Sequence, residues 1–228
     1  MILYKRIYTV SFICSLILFA SCGKGNKSAN SLSEGVIEFN ASVVDENHPM
    51  AGLAPGSATV KFKDNRFQVE MSTMGIFNTT FISDPGKKTL SQLVKFMDIK
   101  DACIQTEADL AKDNQDYALK LEETNETKKI AGYNCKKVKA TLANDPSVTF
   151  DVYYTDELGS DSLNYLGPYR SIKGMLMEYR LKKLGLEMKF TATEVKKEEV
   201  KDDCFEIPSF YRIVTKPEME KLFEDIQN

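Results

Sequence analysis

The sequence predicts a mainly β protein of the α+β class: a single strongly curved antiparallel sheet forming an unclosed β-barrel, with one or two covering helices. Three observations predict it. Short segments of alternating apolar and polar residues recur between residues 35 and 195, tight turns join them in consecutive pairs, and helical spacing is confined to two short stretches.

The N-terminus stands outside that pattern. Lys5 and Arg6 precede an apolar run from Ile7 to Phe19, and the small residues Ala20 and Ser21 come immediately before Cys22. A positive start, a short apolar run and a small-residue cleavage site describe a secretory signal. The run is too short to span about 30 Å of hydrocarbon as a helix. Because the site ends in cysteine it resembles a bacterial lipobox, which implies cleavage before Cys22 and acylation of its sulfur and new α-amino group. Residues 1–21 are therefore expected to be a lipoprotein signal peptide, which takes Cys14 with it. Residues 22–33 are expected to be a flexible tether, because Gly23 to Ser33 is Gly, Ser, Asn and Lys with almost nothing to bury. Residues 34–228 make the folded domain, about 195 residues, enough for one substantial core.

Within that domain Ile37, Phe39, Ala41 and Val43 alternate along one face of a first strand. Val60–Lys63 and Phe67–Met71 flank the polar turn Asp64-Asn65 and make a hairpin, and Phe77–Ile82 with Thr89–Phe96 repeats the plan around Asp84-Pro85-Gly86-Lys87. Consecutive hairpins mean an antiparallel meander. Residues 97–116 read as a short helix or helical loop, with Ile99, Cys103, Ile104 and Leu110 near helical spacing. Tyr117–Glu123, Asn134–Leu142 and Val148–Tyr154 return to strand. The clearest hairpin joins Gly174–Leu181 to Leu186–Val195; Met175, Met177, Tyr179 and Leu181 line one face of its first strand, and Leu186, Met188, Phe190 and Ala192 one face of its second. Glu178, Arg180, Glu187 and Lys189 take the opposite, wet face. Pro217 then stands where helices begin, and Glu218–Ile226 gives an amphipathic helix with Met219, Leu222, Phe223 and Ile226 inward.

Charge and motifs exclude more than they assign. The net charge of −3, with 28% charged residues spread along the chain, offers no basic field for nucleic acid. His48, the only histidine, lies in a loop beside Pro49 with no nucleophile at motif spacing, so no catalytic residue is assigned. No Cys-x-x-Cys, His-x-x-x-His or Asp-x-Asp-x-Asp-Gly run provides for a metal, and no glycine-rich loop cradles a phosphate; neither a metal nor a cofactor is expected. Lysine pairs such as Lys136-Lys137 and Lys182-Lys183 read as solubility and edge protection. The mature thiols Cys103, Cys135 and Cys204 allow three alternative single bridges. None has a neighbour that would make it a nucleophile.

The second half carries a series of short motifs in order. They are Lys128-Lys129-Ile130-Ala131-Gly132-Tyr133-Asn134-Cys135, Val152-Tyr153-Tyr154-Thr155-Asp156-Glu157-Leu158, Leu166-Gly167-Pro168-Tyr169, Lys173-Gly174-Met175-Leu176 and Phe205-Glu206-Ile207-Pro208. Their order resembles secreted proteins and lipoproteins of the GLPGLI type, which are similar in turn to the LolA/LolB lipoprotein carriers. The resemblance implies a LolA/LolB-like half-pipe whose concave apolar face is covered by helices. It places Cys135 at the family's cysteine, which leaves Cys103–Cys204 as the implied disulfide and Cys135–Cys204 as its alternative.

The function expected from these readings is non-enzymatic. An outer-membrane lipoprotein, anchored by Cys22 and facing the periplasm, would bind an acyl chain, a lipid or a lipoprotein on the face carrying Met175, Met177, Tyr179, Leu181, Leu186, Met188 and Phe190. The alternative is a structural or interaction lipoprotein of the envelope whose half-barrel is filled by its own side chains. Its partners would be the membrane, through the acyl chains, and the apolar ligand. Nucleic acid is not expected, and no oligomeric state is specified. Strict alternation from Gly132 puts Cys135 outside the cavity, with Lys137 and Lys139.

Overall fold

Turn chemistry sets the order of the strands. Left-handed backbone at Asp64, Lys88, Met97 and the Ala131-Gly132 pair closes four tight hairpins where the chain reverses. The computed structural model describes residues 32–159, 162–183 and 185–227. The expected signal peptide, Cys22 and all but the last two residues of the tether lie outside them.

Two meanders result. The first is β1 (Glu34–Val43), β2 (Ser57–Lys63), β3 (Arg66–Thr73), β4 (Phe77–Asp84), β5 (Thr89–Phe96) and β6 (Ile99–Thr106). The second is β7 (Leu119–Ile130), β8 (Tyr133–Leu142), β9 (Thr149–Thr155), β10 (Met175–Lys183) and β11 (Leu186–Lys196). β1 pairs antiparallel with β11, from Val36 opposite Lys196 to Val43 opposite Met188, and fuses the two into one sheet. A short β12 (Arg212–Ile213) adds parallel to β6, so the order is β12-β6-β5-β4-β3-β2-β1-β11-β10-β9-β8-β7. The two end strands do not pair with each other, and the twelve-stranded sheet stays unclosed.

Two helices serve the concave side. α1 (Glu107–Asp116) leads from β6, near one edge, to β7 at the other. It starts where Thr106 and Asp109 form a capping box, satisfying backbone N–H groups that would otherwise lack partners. α2 (Lys216–Gln227) begins the same way: the Thr215 hydroxyl accepts from the Glu218 N–H, and the Glu218 carboxylate accepts from the Thr215 N–H. Met219 and Phe223 are buried and join Val94 and Cys103 in one apolar cluster, with Leu222 packed against it. On the convex side Val200 and Phe205, from the segment after β11, join Val36, Ile82, Leu93 and Ala102.

Three expectations are corrected. The helix expected over 97–116 is half strand: Ile99, Cys103 and Ile104 lie in β6, which pairs with β5 from Phe96–Ile99 to Thr89–Thr106. Pairing that buries Ala102, Cys103 and Gln105 outweighs helix propensities, which differ by less than about 1 kcal/mol per residue among ordinary residues. Neither expected disulfide forms, because Cys103, Cys135 and Cys204 are free thiols. Cys103 packs with α2 on one face of the sheet, whereas Cys204 packs with the convex-side cluster on the other. Met177, expected to share a face with Met175 and Tyr179, sits at a bulge. Leu176 opposes Tyr154 and Glu178 opposes Tyr153, so Met177 is an extra residue there and is fully buried.

Ile37 stands at the seam between the meanders, opposite Val195 on β11 and Val60 on β2, with no exposed surface. Ile37→Val is expected to cost about 1 kcal/mol and Ile37→Ala about 2–5 kcal/mol. Urea unfolding followed by circular dichroism measures both; an alanine variant as stable as the parent would show that the seam is not where stability resides.

Candidate binding cavity

Alternation along the β10–β11 hairpin aims one row of side chains at the hollow of the sheet. Met175, Tyr179, Leu181, Leu186, Met188 and Phe190 all line a cavity of about 720 Å³, and of the seven residues expected there Met177 alone is missing. The bulge that buries it explains the exception. Tyr179 is the centre of this wall. Its ring stacks on Phe190, its partner across the hairpin, at 5.2 Å, and meets Phe39 and Tyr169 edge-on at 6.0 and 6.1 Å.

The facing wall comes from the first meander. Phe67, Val69 and Met71 of β3, Phe77 and Phe81 of β4 and Leu90 of β5 point inward. Thr79, Gln92 and Gln105 interrupt it with polar groups. Both glutamines are more than nine-tenths buried, and the Gln105 Oε1 has no hydrogen-bond partner. Leu163, Leu166 and Tyr169, from the connection between β9 and β10, close one end. That connection is held by Asn164, whose amide donates to the carbonyls of Ile172 and Gly174 at 2.9 and 2.8 Å.

Charges gather where α1, α2 and the β10–β11 turn approach one another. Asp113 binds Lys216 in a short contact and lies 3.6 Å from the Lys183 ammonium. Burial pushes the Lys183 ammonium below the usual lysine range, and Asp113 opposes that shift without cancelling it. Inside, burial and then the Glu187 carboxylate hold the Tyr117 phenol far above its ordinary value; its hydroxyl donates to Glu187 at 2.9 Å. Burial alone raises Tyr179. Both phenols are therefore neutral donors throughout the physiological range.

The residues that first suggest chemistry lie elsewhere. His48 is half-buried in its loop, and its Nδ1 accepts from the Met50 N–H at 3.2 Å. Cys135 is not among the cavity-lining residues. The register of β8 with β9 is unbroken from Lys136 to Thr141, so Cys135 keeps the phase of Lys137 and Lys139. It is nevertheless fully buried, in the cluster that holds Ile130, Leu158 and Met175. Burial pushes its thiol up to about 11, and burial with the Asp109 carboxylate raises Cys103 as well. Among the described residues no group of three or more His, Cys, Asp or Glu is placed to hold a metal ion, and no helix is long and apolar enough to cross a membrane.

The first-meander wall is what sequence reasoning did not assign to a site. Its signal was present in the alternation of Phe67, Val69 and Met71; what was missing was the β1–β11 pairing that brings it opposite the methionine hairpin. The cavity also removes the self-filled half-barrel from consideration.

Comparison with known proteins changes the family. A family model described as the N-terminal domain of N-glycanase matches residues 40–212. PNGF-II, solved in space group P21, superposes with a TM-score of 0.51 at 17% identity over 83% of this chain and 33% of its own. The same protein in space group C2 gives 0.51 at 19% identity, over 85% of this chain and 33% of its own. The chain thus spans about a third of the length of the solved structures it matches. No curated protein matches it. The resemblance to GLPGLI proteins and LolA/LolB carriers is overturned by these matches, and with it the lipid- or lipoprotein-carrying function expected on the concave face. The motifs that carried it are short strand and turn segments, each unspecific by itself.

Burial orders the reactivity of the thiols. Alkylation of the native protein with iodoacetamide, read by peptide mass spectrometry, is expected to label Cys204 first and to reach Cys103 and Cys135 only on unfolding. Asp113 neutralises two lysines at once, so Asp113→Asn is expected to lower Tm. Lys183→Met, which removes a poorly solvated charge and leaves Asp113 its Lys216 partner, is expected to hold Tm or raise it. Differential scanning calorimetry distinguishes the two.

Proposed function

The chain belongs to the family of N-glycanase N-terminal domains, and we propose that it is a non-catalytic module that holds a glycoprotein in its concave cavity while cleavage proceeds in a separate catalytic part. The observation that carries the reading is the cavity itself: about 720 Å³, walled by aromatic rings around Tyr179 and interrupted by the amides of Gln92 and Gln105. That is the composition of a ligand site, mostly apolar surface with a few placed polar groups.

Of the three carboxylates that border the cavity, Asp113, Asp116 and Glu220, the first is neutralised by two lysines. Asp113, an inward carboxylate, is already paired with Lys183 and Lys216, and the neutral phenols of Tyr117 and Tyr179 are donors rather than bases. Amide hydrolysis requires a group poised to take and return a proton near neutral pH. The deeper polar lining offers hydrogen bonds instead. An envelope location, expected from residues 1–33, would keep the module outside the cytoplasm, where exported glycoproteins are met.

The 228-residue chain, immobilised, should retain a soluble glycoprotein and release no glycan from it, as read by surface plasmon resonance and by mass spectrometry of the eluate. Tyr179→Ala is expected to weaken retention about fivefold or more by removing the ring at the centre of the wall. Lys139→Ala, on the convex face, should leave it unchanged. Absence of retention would sink the binding role, and released glycan would sink the non-catalytic one.

A further inference from the structure

The hairpin tips beside the cavity are built against the convenience of their own backbone. Met74, in the β3–β4 turn, and Met97, in the β5–β6 turn, each adopt a left-handed conformation with φ of 52°. Such positions are most easily filled by Gly, Asn or Asp. Their side chains are also out in water, 86% and 70% exposed. Ile76 and Ile99 stand beside them, both exposed. Across the sheet Thr73 opposes Phe77, Phe77 opposes Phe96 and Phe96 opposes Ile99, so both tips lie at the same end. An exposed apolar residue in an unfavourable conformation gives the fold nothing, and here it occurs twice, side by side.

This apolar edge runs into the cavity. Phe77, next to Ile76, lines it, and so does Leu53, whose carbonyl accepts from the Thr73 hydroxyl at 2.8 Å. The tips and the hollow therefore form one surface. Methionines suit a surface that must accommodate side chains of varied shape. Further in, the unpartnered Gln105 Oε1 is an acceptor in need of a donor.

A glycoprotein brings two chemistries to such a surface. A glycan is dense in hydroxyls, and burying those against phenylalanine and leucine walls would strip them of water without replacing their hydrogen bonds. A polypeptide offers bulky apolar side chains for the walls and backbone N–H groups for a buried acceptor. We infer that the Met74 and Met97 tips, together with the cavity, bind an extended polypeptide stretch carrying bulky apolar side chains: the peptide part of a glycoprotein rather than its glycan. The inference rests on the reading that this module holds a glycoprotein.

The test uses fluorescence anisotropy on the full chain with a labelled, unglycosylated twelve-residue peptide bearing Phe and Leu at alternate positions. The peptide is expected to bind, its serine-substituted counterpart to bind at least about tenfold more weakly, and free chitobiose not to displace it. The double variant Met74→Asn, Met97→Asn is expected to weaken binding about threefold or more while Tm holds or rises, because asparagine accepts the left-handed conformation. Unchanged affinity in that variant overturns the role of the tips. A glycopeptide that binds where the bare peptide does not, or displacement by chitobiose, overturns the inference and leaves the glycoprotein-holding role standing. Failure of peptide, glycopeptide and intact glycoprotein alike removes both.

Discussion

Everything in this structure hangs on the pairing of β1 with β11. Each meander is built mostly from pairings between strands that follow one another in the chain. The β1–β11 ladder joins residues far apart in the chain, from Val36 with Lys196 to Val43 with Met188, and that pairing brings the two meanders into one bent sheet. It sets the methionine hairpin opposite the aromatic wall of β3 and β4. The bulge at Glu38–Phe39 falls inside it and adds to the local bend. Closing so long a loop is entropically expensive, and Ile37, Phe39 and Phe190, all buried along the seam, supply the apolar burial that offsets it.

The open side of the half-barrel is managed by the two helices. α1 spans from the β6 side to β7, while the chain after β11 runs over the convex face, pairs β12 with the β6 edge and returns to the concave face as α2. Arg212 fixes the crossing point by donating to both oxygens of the buried Asp101 carboxylate, at 2.9 and 2.8 Å. Asp113 then ties α1 to α2 through Lys216 and to the β10–β11 turn through Lys183. The charged strap and the apolar packing of Met219 and Phe223 hold the helices at the cavity's border without filling it.

Much of the fold was legible in the sequence, because period-two alternation and turn residues are local signals. Six of the seven residues proposed for the concave face were legible for the same reason. The failures share a physical type. Ile99, Cys103 and Ile104 looked helical because strand pairing with β5 is a tertiary fact that composition does not encode. Met177 looked concave because a bulge is invisible to a strict two-residue count. Cys103 and Cys204 looked bridgeable because a sequence does not say which side of a sheet each thiol takes. The family was misread from motifs that report a bent antiparallel sheet and little else.

A cavity of this size constrains what the molecule can be doing. Were it a sealed, dry void, its about 720 Å³ at about 24 cal/mol per Å³ would cost about 17 kcal/mol, more than the whole stability of an ordinary domain. The hollow must therefore be wet or occupied. Its walls are hydrogen-bonded ladders of one twelve-stranded sheet that bends without closing, and the side chains on the two sides leave the space between them open. Phe67, Phe81 and Phe190 therefore face that hollow instead of packing against one another across it. Strand number and the failure to close thus lead, through packing geometry alone, to an open hollow bordered by aromatic rings.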